Sequence, residues 1–345
     1  MTGIRDVARE AEMSTASVSR ALRGLPGVSE DTRARVLEVA ARLGYVASPQ
    51  AASLASGTTR TIGAIVPFVT RWYFSWIVQG AQDRLQEAGY DLLLYNLGGE
   101  QSARYRVLAT RMLAKRVDAL LVLALTPTSR ELANLRSLGL PVGLVGAQVE
   151  GFWCVDIDDR QVSHTAVDHL ATLGHRRIAY VGGGLEDTLD FRAPRIRAAG
   201  WREAMARHGL EVRWEYDEAG DFTMAGGEAA GRRLLALAEP PTAIYAASDE
   251  MAIGVLRAVR RAGLRVPEDL SVIGVDDHEM ASFVDLSTVA QPVYEQGTEI
   301  ARMVLGQLAE PDDDSPHVHR TFPTELVVRS STGPVPVEAR TTSVG

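Results

Sequence analysis

The sequence predicts a small all-α helix-turn-helix headpiece joined to an α/β core of two doubly wound parallel-sheet lobes. Three observations predict this fold: two short helical patterns break at a turn near residues 12–14, strands and helices alternate from residue 61, and the alternation occurs in two runs. Apolar runs such as residues 61–67 and 117–125 are nearly continuous. Such runs are typical of parallel strands that are covered on both faces of the sheet.

The headpiece prediction rests on helical periodicity over residues 4–24. The apolar positions at helical spacing are Ile4, Val7, Ala8, Ala11, Val18 and Leu22. Ser14 stands where its hydroxyl can cap the second helix. With the apolar positions turned inward, the outward face of the second helix carries Thr15, Ala16, Ser19 and Arg20. This is the pattern of a helix that enters the DNA major groove, although an ordinary helical hairpin gives a similar pattern.

A third helix follows over residues 28–44, with Ser29 as its cap and two acidic residues in its first turn. The whole stretch IRDVAREAEMSTASVSRALRGLPGVSEDTRARVLEVAARLGY closely resembles the DNA-binding headpiece of the LacI/GalR repressor family. The motifs DVA, TASVSRAL and VSEDTRARV stand at the family spacing, and the resemblance continues to about residue 330. It implies DNA contacts from Ser14, Thr15, Ala16, Ser19 and Arg20.

One residue of the turn departs from the family pattern. Glu12 stands where the family usually has glycine. If this position needs a positive φ, a non-glycine residue costs the headpiece about 1 kcal/mol.

Residues 47–60 form a small, polar segment that reads as a linker by composition. Ser48 and Pro49 are a good helix start and Gly57 a good stop, but the implied helix of about two turns is too short to be stable alone. The resemblance implies a hinge helix that orders on DNA beside its dimer mate, with Leu54 wedged into the minor groove. A flexible linker is the alternative.

The resemblance also divides the chain. It implies a headpiece over residues 1–46, a hinge over 47–60 and a two-lobed, periplasmic-binding-protein-like core over 61–330. Lobe 1 takes about 61–160 plus 291–322, lobe 2 takes about 161–290 plus 323–330, and the chain crosses between them three times. Residues 331–345 are expected to be disordered; they carry no leucine heptads that would form a tetramerising coiled coil.

Ligands of open parallel sheets bind beyond the carboxyl ends of the strands, so residues there are candidates for an effector site. The candidates are Trp72, Tyr73, Phe74, Arg197, Ser248, Asp249 and Asp276, together with Gln291 at a crossover. Among them, the resemblance implies effector contacts from Arg197 and Asp276, an aromatic pair at Tyr73 and Phe74, and Ser248 at a position where the family usually has asparagine. Aromatic faces with a few charged hydrogen-bonding groups suit a sugar. Asp249 is equally expected to cap the helix that follows it. Arg71 and Trp72 replace the usual Asn-Pro, and Gly146 replaces a frequent aspartate, so the first-lobe side is expected to be more aromatic and less acidic.

Composition limits the classes of function. The net charge is −8, and residues 1–57 carry seven arginines and six acidic residues, so diffuse attraction to phosphates cannot supply most of the DNA affinity. Useful binding should therefore require two headpieces together. Cys154 is the single cysteine, which excludes an internal disulfide. With no apolar stretch long enough to span a membrane and no signal peptide before the headpiece, the chain is expected to be cytoplasmic.

Three rival functions fit the pattern less well or differ only in the ligand. For an enzyme, the glycines of residues 181–184 do not complete a dinucleotide motif, and His164 and His169 are five residues apart rather than three or four. A solute-binding protein of transport shares the two-lobed fold but has no DNA headpiece. A nucleobase or nucleoside would also fit aromatics with Arg197 and Asp276.

The sequence thus predicts a homodimeric transcriptional regulator, not an enzyme. It is expected to repress carbohydrate-use genes by binding a pseudo-palindromic double-stranded operator. A small sugar-like effector between the lobes would control that binding, and no cofactor, metal or membrane is expected to take part.

Overall fold

The computed structural model describes residues 2–22, 24, 26–45, 57–108, 113, 115–184, 189, 191–310 and 317–335. The chain divides into two compact units, Met1–Arg60 and Thr61–Gly345. The hinge candidate Leu54 lies outside the described residues.

The described part of the first unit contains three helices, α1 (Ile4–Glu10), α2 (Thr15–Leu22) and α3 (Glu30–Arg42). Their core includes Val7, Val18 and Val36, all fully buried. Both predicted caps are confirmed: the Ser17 N–H donates to Ser14 Oγ at 3.0 Å, and the Thr32 N–H donates to Ser29 Oγ at 3.3 Å. These bonds satisfy amide groups that would otherwise lack a partner in the first turn of each helix.

Within the described ranges, twelve strands form the sheets of the second unit. They are β1 (Thr61–Val66), β2 (Asp91–Asn96), β3 (Ala119–Leu123), β4 (Val142–Val145), β5 (Trp153–Ile157), β6 (Ile178–Gly182), β7 (Asp217–Ala219), β8 (Ala243–Ala246), β9 (Ser271–Asp276), β10 (Ser287–Ala290), β11 (His319–Phe322) and β12 (Glu325–Val327). The longer helices that cover them are α4 (Trp72–Glu87), α5 (Gln101–Leu108), α6 (Ser129–Ser137), α7 (Asp159–Thr172), α8 (Arg192–Arg207), α9 (Met224–Leu235), α10 (Asp249–Arg261) and α11 (Val293–Ala309).

The strands form two sheets of six, and each sheet is the centre of one lobe. The sheet of lobe 1 has the order β11-β5-β4-β3-β1-β2 and is parallel throughout. The sheet of lobe 2 has the order β12-β10-β9-β8-β6-β7, and its edge strand β12 pairs antiparallel with β10. The predicted doubly wound lobes are therefore present, with one antiparallel edge that the sequence did not predict.

Helices α4 and α11 pack closely on lobe 1 because glycines stand where their backbones meet. A Cβ atom on Gly80 would lie 2.1 Å from the carbonyl oxygen of Tyr294, and one on Gly297 would lie 2.1 Å from that of Ile77. The chain passes between the lobes after β5, after β10 and after β11. These three crossings hold α11 and β11 in lobe 1 although they follow most of lobe 2 in sequence.

The prediction of disorder from residue 331 onwards is wrong for residues 331–335. Ser331 is 2% exposed, its hydroxyl accepts from the Ser287 N–H at 2.7 Å, and its carbonyl accepts from the Val272 N–H at 2.8 Å. The Val335 N–H donates to the Leu173 carbonyl at 3.0 Å. The segment is polar, but its polar groups have partners inside lobe 2, which is why it can be buried.

Among the described residues, no helix is both long enough and apolar enough to cross a bilayer.

Candidate functional sites

The outward face of α2 is open to solvent. Of the residues predicted to contact DNA, Ser14, Thr15, Ala16 and Arg20 are exposed and Ser19 is half-buried. Val18 and Ala21, on the opposite side of the same helix, are buried in the core of the first unit. The helix therefore presents a short polar face whose orientation is fixed by its apolar side.

The turn between α1 and α2 has the backbone geometry that the resemblance implied. Glu12 has a φ of +57°, in the left-handed region that favours glycine. Its carboxylate lies 3.5 Å from the Arg35 guanidinium, and both side chains are exposed. An exposed pair of this kind contributes little, so it does not offset the whole cost of the turn.

A cavity lies between the two lobes, beyond the carboxyl ends of their strands. Lobe 1 lines it with Arg71, Tyr73, Phe74, Ala124 and Gly146. Ile157 at the end of β5 and Gln296 of α11 also belong to lobe 1. The remaining lining residues come from lobe 2 and the crossings, and they are Asp159, Phe191, Ala193, Pro194, Arg197, Phe222, Ser248, Glu250, Asp276 and Gln291. The wall thus combines aromatic rings with a small number of charged groups.

Six of the eight predicted effector residues meet in this cavity. They are Tyr73, Phe74, Arg197, Ser248, Asp276 and Gln291. The Ser248 hydroxyl also caps α10, because it accepts from the Met251 N–H at 3.3 Å. Gly146, where a family aspartate was expected, leaves this end of β4 without a carboxylate and has a φ of +74°.

The structure places Trp72 outside the cavity. Its ring lies against His278, with 4.8 Å between ring centroids, and faces a second cleft with Trp76. Successive side chains of a helix point about 100° apart, so Tyr73 and Phe74 face the cavity while Trp72, at the start of α4, points away. Its inclusion in the predicted site is therefore corrected.

Asp249 is also outside the cavity, and it is not the cap of α10. It is fully buried, and its carboxylate accepts from the Thr288 hydroxyl and from the His278 N–H, each at 2.8 Å. Burial raises its pKa well above the usual range. Asp249 is therefore an internal group of lobe 2, and the next residue, Glu250, faces the cavity in its place.

Arg197 is held by an ion pair and a backbone carbonyl. Its Nε donates to Asp159 Oδ1 at 2.7 Å, and its Nη1 donates to the Ala247 carbonyl at 2.6 Å. Burial alone would lower the pKa of Arg197, but Asp159 and then Asp276 more than offset it, so the pKa is raised. The guanidinium therefore stays charged inside the cavity.

Asp276 ends β9 in an unusual backbone conformation, with a φ of +118°. Its Oδ1 accepts from Gln291 Nε2 at 2.6 Å, and Gln291 Oε1 accepts from Gln296 Nε2 at 3.0 Å. Burial raises the pKa of Asp276 to about 7, although Arg197 and the bond from Gln291 lower it in part. This chain of bonds connects lobe 2, through a crossing, with α11 on lobe 1.

Sequence reasoning missed several lining residues, above all Asp159, Arg71 and Glu250. Asp159 is the first residue of α7, just beyond β5, so the rule about strand ends would have found it. Arg71 lies over the Phe68 ring, 4.0 Å from its centroid. Burial raises the pKa of Glu250 and Arg71 opposes that rise, so these two groups from opposite lobes attract each other.

Comparison with known proteins agrees with this two-part organisation. Residues 3–48 match the model of bacterial regulatory proteins of the lacI family, and residues 167–332 match that of a periplasmic binding protein-like domain. The chain is 35% identical to catabolite control protein A of Priestia megaterium over 334 residues, which is 95% of this chain and 98% of that protein.

Two solved structures are similar over nearly the whole chain. A complex of the transcriptional regulator CelR with cellobiose has a TM-score of 0.70 at 30% identity and covers 96% of this chain and 100% of that chain. A lac repressor dimer bound to operator and the anti-inducer ONPF has a TM-score of 0.82 at 26% identity, with 96% and 99% covered. The chain therefore belongs to the lacI family of bacterial regulatory proteins, with a DNA-binding helix-turn-helix domain followed by an effector-binding domain.

Proposed function

We propose that this regulator is a homodimeric repressor of carbohydrate-use genes whose operator affinity is set by a sugar-like effector in the cavity between the lobes. The observation that carries the proposal is the cavity wall, where aromatic rings from both lobes surround a few hydrogen-bonding charges. Tyr73 and Phe74 come from lobe 1, and Phe191 and Phe222 come from lobe 2. Flat apolar faces with fixed polar groups suit the ring and the hydroxyls of a sugar.

The similarity to the CelR–cellobiose complex supports a sugar as the effector class. A nucleobase or nucleoside is the second candidate, because its flat ring could stack between aromatic side chains of the two lobes. The two classes share Arg197 and Asp276 as their expected polar contacts. A ligand screen that contains both classes decides between them.

On the DNA side, the proposal assigns base contacts to Thr15, Ala16 and Arg20 and supporting contacts to Ser14 and Ser19. Arginine can donate two parallel hydrogen bonds to the edge of guanine. Because a small headpiece of nearly balanced charge binds weakly alone, a pseudo-palindromic operator would be bound by two subunits. The hinge residue Leu54 would wedge into the minor groove between them.

A homodimer is supported by apolar side chains that remain exposed on lobe 2. Phe283 is 79% exposed and Met280 is 40% exposed, and they lie within one turn of each other after β9. Neighbouring exposed apolar side chains can belong to an apolar patch that a second subunit covers. The similar lac repressor structure is a dimer, which agrees with this assignment.

The proposal also includes a cytoplasmic location and no catalytic activity. The location follows from the partner, because operator DNA lies inside the cell. We propose no catalytic activity because the matched family consists of bacterial regulatory proteins. In the cavity, Arg197 and Asp159 are bonded to each other, and Asp276 is bonded to Gln291. These groups hold fixed positions that suit ligand binding.

The experiment first selects the operator from random duplex DNA with the full-length protein, and then screens sugars and nucleosides by thermal shift. A ligand at a hundred times its dissociation constant should stabilise the protein by about 2.7 kcal/mol. We expect that ligand to change operator affinity. A compound that binds in the cavity and leaves operator affinity unchanged would contradict the proposal.

A pair of variants tests the DNA contact. Arg20→Ala should weaken specific binding by about 1–3 kcal/mol and relax the preference at one base pair in each half-site. Arg9→Ala removes the same charge from α1, where Arg9 pairs with Asp6 at 2.8 Å, and is the matched control. Equal loss on operator and on random DNA would show that Arg20 contacts only phosphate.

A further inference from the structure

We propose that Arg104 is a positioning residue that holds lobe 2 on lobe 1 by binding the chain between β6 and α8. The residue of that connection that carries the argument is Leu189, whose side chain and carbonyl both contact lobe 1. Leu189 and Arg104 together are called the latch below. The inference goes beyond the proposed function, because these contacts join protein groups and hold whichever ligand the cavity binds.

The Leu189 side chain belongs to lobe 2 in sequence but packs in lobe 1. It is 1% exposed, and it lies in an apolar cluster whose other described members, such as Ile65, Leu97 and Val122, all belong to lobe 1. Burial of a leucine side chain is favourable, so this contact stabilises the two lobes together. Withdrawal of Leu189 would expose its side chain and leave a gap in the cluster.

Arg104 of α5 provides a hydrogen-bond donor at the same place. The residue is 5% exposed, and its guanidinium binds groups of both lobes. Its Nε and Nη2 donate to the two carboxylate oxygens of Glu131 at 2.9 and 2.8 Å, and Nη2 also donates to the Thr126 carbonyl at 2.7 Å. Its Nη1 donates to the Leu189 carbonyl. Three of these four bonds lie within lobe 1, and the fourth crosses to lobe 2.

Lobe 1 alone fixes the orientation of the guanidinium. Glu131 stands in the first turn of α6, where its Oε2 accepts from the Thr128 N–H at 2.7 Å and its own N–H donates to the Thr128 hydroxyl at 3.3 Å. Burial would raise the pKa of Glu131, but the bonds from Arg104 and Thr128 lower it, so the ion pair stays charged. The Nη1 donor therefore points to a fixed place, and a buried donor that loses its acceptor costs free energy.

The latch is close in sequence to the wall of the effector cavity. Phe191, two positions after Leu189, lines the cavity. Its ring also contacts lobe 1, with its centroid 6.4 Å from that of Phe68 and 6.3 Å from that of Phe74. Separation of the lobes would therefore break the contacts of Leu189 and those of Phe191. Arg104 positions this part of the wall through Leu189.

Thiol labelling measures the opening of the latch, and the chain carries its own reference. Cys154 is 1% exposed and lies in the same lobe 1 cluster as Leu189, so it becomes accessible when lobe 1 unfolds. Leu189→Cys adds a second thiol to the full-length protein, and N-ethylmaleimide followed by peptide mass spectrometry gives the rate at each site. We expect the introduced thiol to react faster than Cys154, because lobe 1 stays folded when the latch opens, and slower than in urea-unfolded protein. A rate equal to that of Cys154, or to that of unfolded protein, overturns the inference.

A second substitution in the Leu189→Cys protein tests the role of Arg104. Arg104→Lys keeps a positive charge for Glu131 but cannot supply the guanidinium fork and the bond to the Leu189 carbonyl together. The introduced thiol should therefore react about tenfold faster, and the rate of Cys154 should change less. A ratio of the two rates that stays the same would mean that Arg104 acts only inside lobe 1, and it would overturn the inference.

Arg136→Lys is the matched control for this substitution. Arg136 of α6 also donates to a carbonyl, that of Glu150 at 3.0 Å, but both residues belong to lobe 1. The control should leave the ratio of the two labelling rates unchanged. A control that shifts the ratio as much as Arg104→Lys does would show that the shift is not specific to the latch, and the inference would fail.

A change from the side of lobe 2 keeps the test decisive if Arg104→Lys does not fold. Phe191→Ala removes the ring contacts to lobe 1 and leaves the Arg104–Glu131 ion pair intact. In the Leu189→Cys protein it should raise the rate of the introduced thiol about fivefold or more without a matching rise at Cys154. If the ratio of the two rates does not change, these contacts do not hold the lobes together and the inference fails.

Discussion

Replacing Asp276 by asparagine should stabilise the ligand-free protein, and more so at alkaline than at acidic pH. The side chain is buried at the end of β9, and burial raises its pKa to about 7 from the ordinary 3.8. The folded protein therefore carries a carboxyl group that is costly to ionise. The asparagine side chain would keep an oxygen that accepts from Gln291 and would remove the charge.

The magnitude follows from the two pKa values. At about 1.4 kcal/mol per pH unit, raising the pKa from 3.8 to about 7 penalises the ionised folded state by about 4 kcal/mol. The direction of the pH dependence follows from proton binding. Below about pH 4 this group is protonated in both the folded and the unfolded protein, so it does not lower the free energy of unfolding. As the pH rises to about 7, the free energy of unfolding falls because the group ionises first in the unfolded chain. The gain from asparagine should therefore be about 2 kcal/mol at pH 5 and about 4 kcal/mol at pH 8.

Urea unfolding at pH 5 and pH 8 measures this difference, with wild type and variant compared at each pH. Asp277→Asn is the matched control, since Asp277 is the neighbouring residue but pairs with the Arg329 guanidinium at 2.7 Å. The control should be neutral or slightly destabilising at both pH values. Any effect of the substitution on the backbone at this residue, where φ is +118°, does not depend on pH. An equal gain at pH 5 and pH 8 would therefore refute the electrostatic argument and leave only the backbone effect.

Four further predictions concern the headpiece, the hinge, the cavity and the chain after β12. Glu12→Gly should stabilise the headpiece by up to about 1 kcal/mol, measured by amide exchange in α1 and α2; a loss of protection would contradict it. Leu54→Ala should weaken operator binding strongly in gel-shift titrations while the dimer, checked by light scattering, persists. Arg197→Ala should abolish effector binding in calorimetry and preserve operator binding; unchanged effector affinity would move the site elsewhere. Truncation after Ser330 should destabilise the protein by about 3 kcal/mol through lost buried hydrogen bonds, whereas truncation after Val335 is the control that keeps them.

Local signals explain why the three helices of the first unit could be predicted from the sequence. Ser14 and Ser29 cap the helices that follow them, and capping depends on neighbours only three residues away. The alternation of strands and helices is equally local, so the fold class of the lobes was also predictable.

Contacts that are distant in sequence explain what could not be predicted. Strand β12 pairs antiparallel with β10, which lies well before it in the chain, and nothing in the segment itself indicates the direction of pairing. The residues after it look like a polar tail, but they lie against His175, whose Nε2 is 3.0 Å from both Ser271 Oγ and the Gly333 carbonyl. A polar segment is buried when its partners exist, and the partners of Gly333 are 62 and 158 residues away.

At two helix starts, the sequence prediction included a residue that does not line the cavity beside a residue that does. The rule about strand ends brought Tyr73, Phe74 and Ser248 to the right place, but it does not give the rotation of the helix that starts there. This is why Trp72 was included although it points away, and why Asp249 was chosen where Glu250 is the lining residue. The phase of a helix is set by which of its faces is covered, and that depends on the whole lobe.

The three crossings between the lobes have a consequence for how the chain is made. The sheet of lobe 1 needs β11, and its α4 packs against α11, yet these segments are synthesised only after β10 of lobe 2. The sheet of lobe 2 in turn needs β12 for its edge. Neither lobe can therefore complete its fold during translation while these closing residues are still inside the ribosome. The α1–α3 unit has a core of its own, and all of its residues are synthesised long before those closing segments. It should therefore be folded while the effector-binding domain is still incomplete.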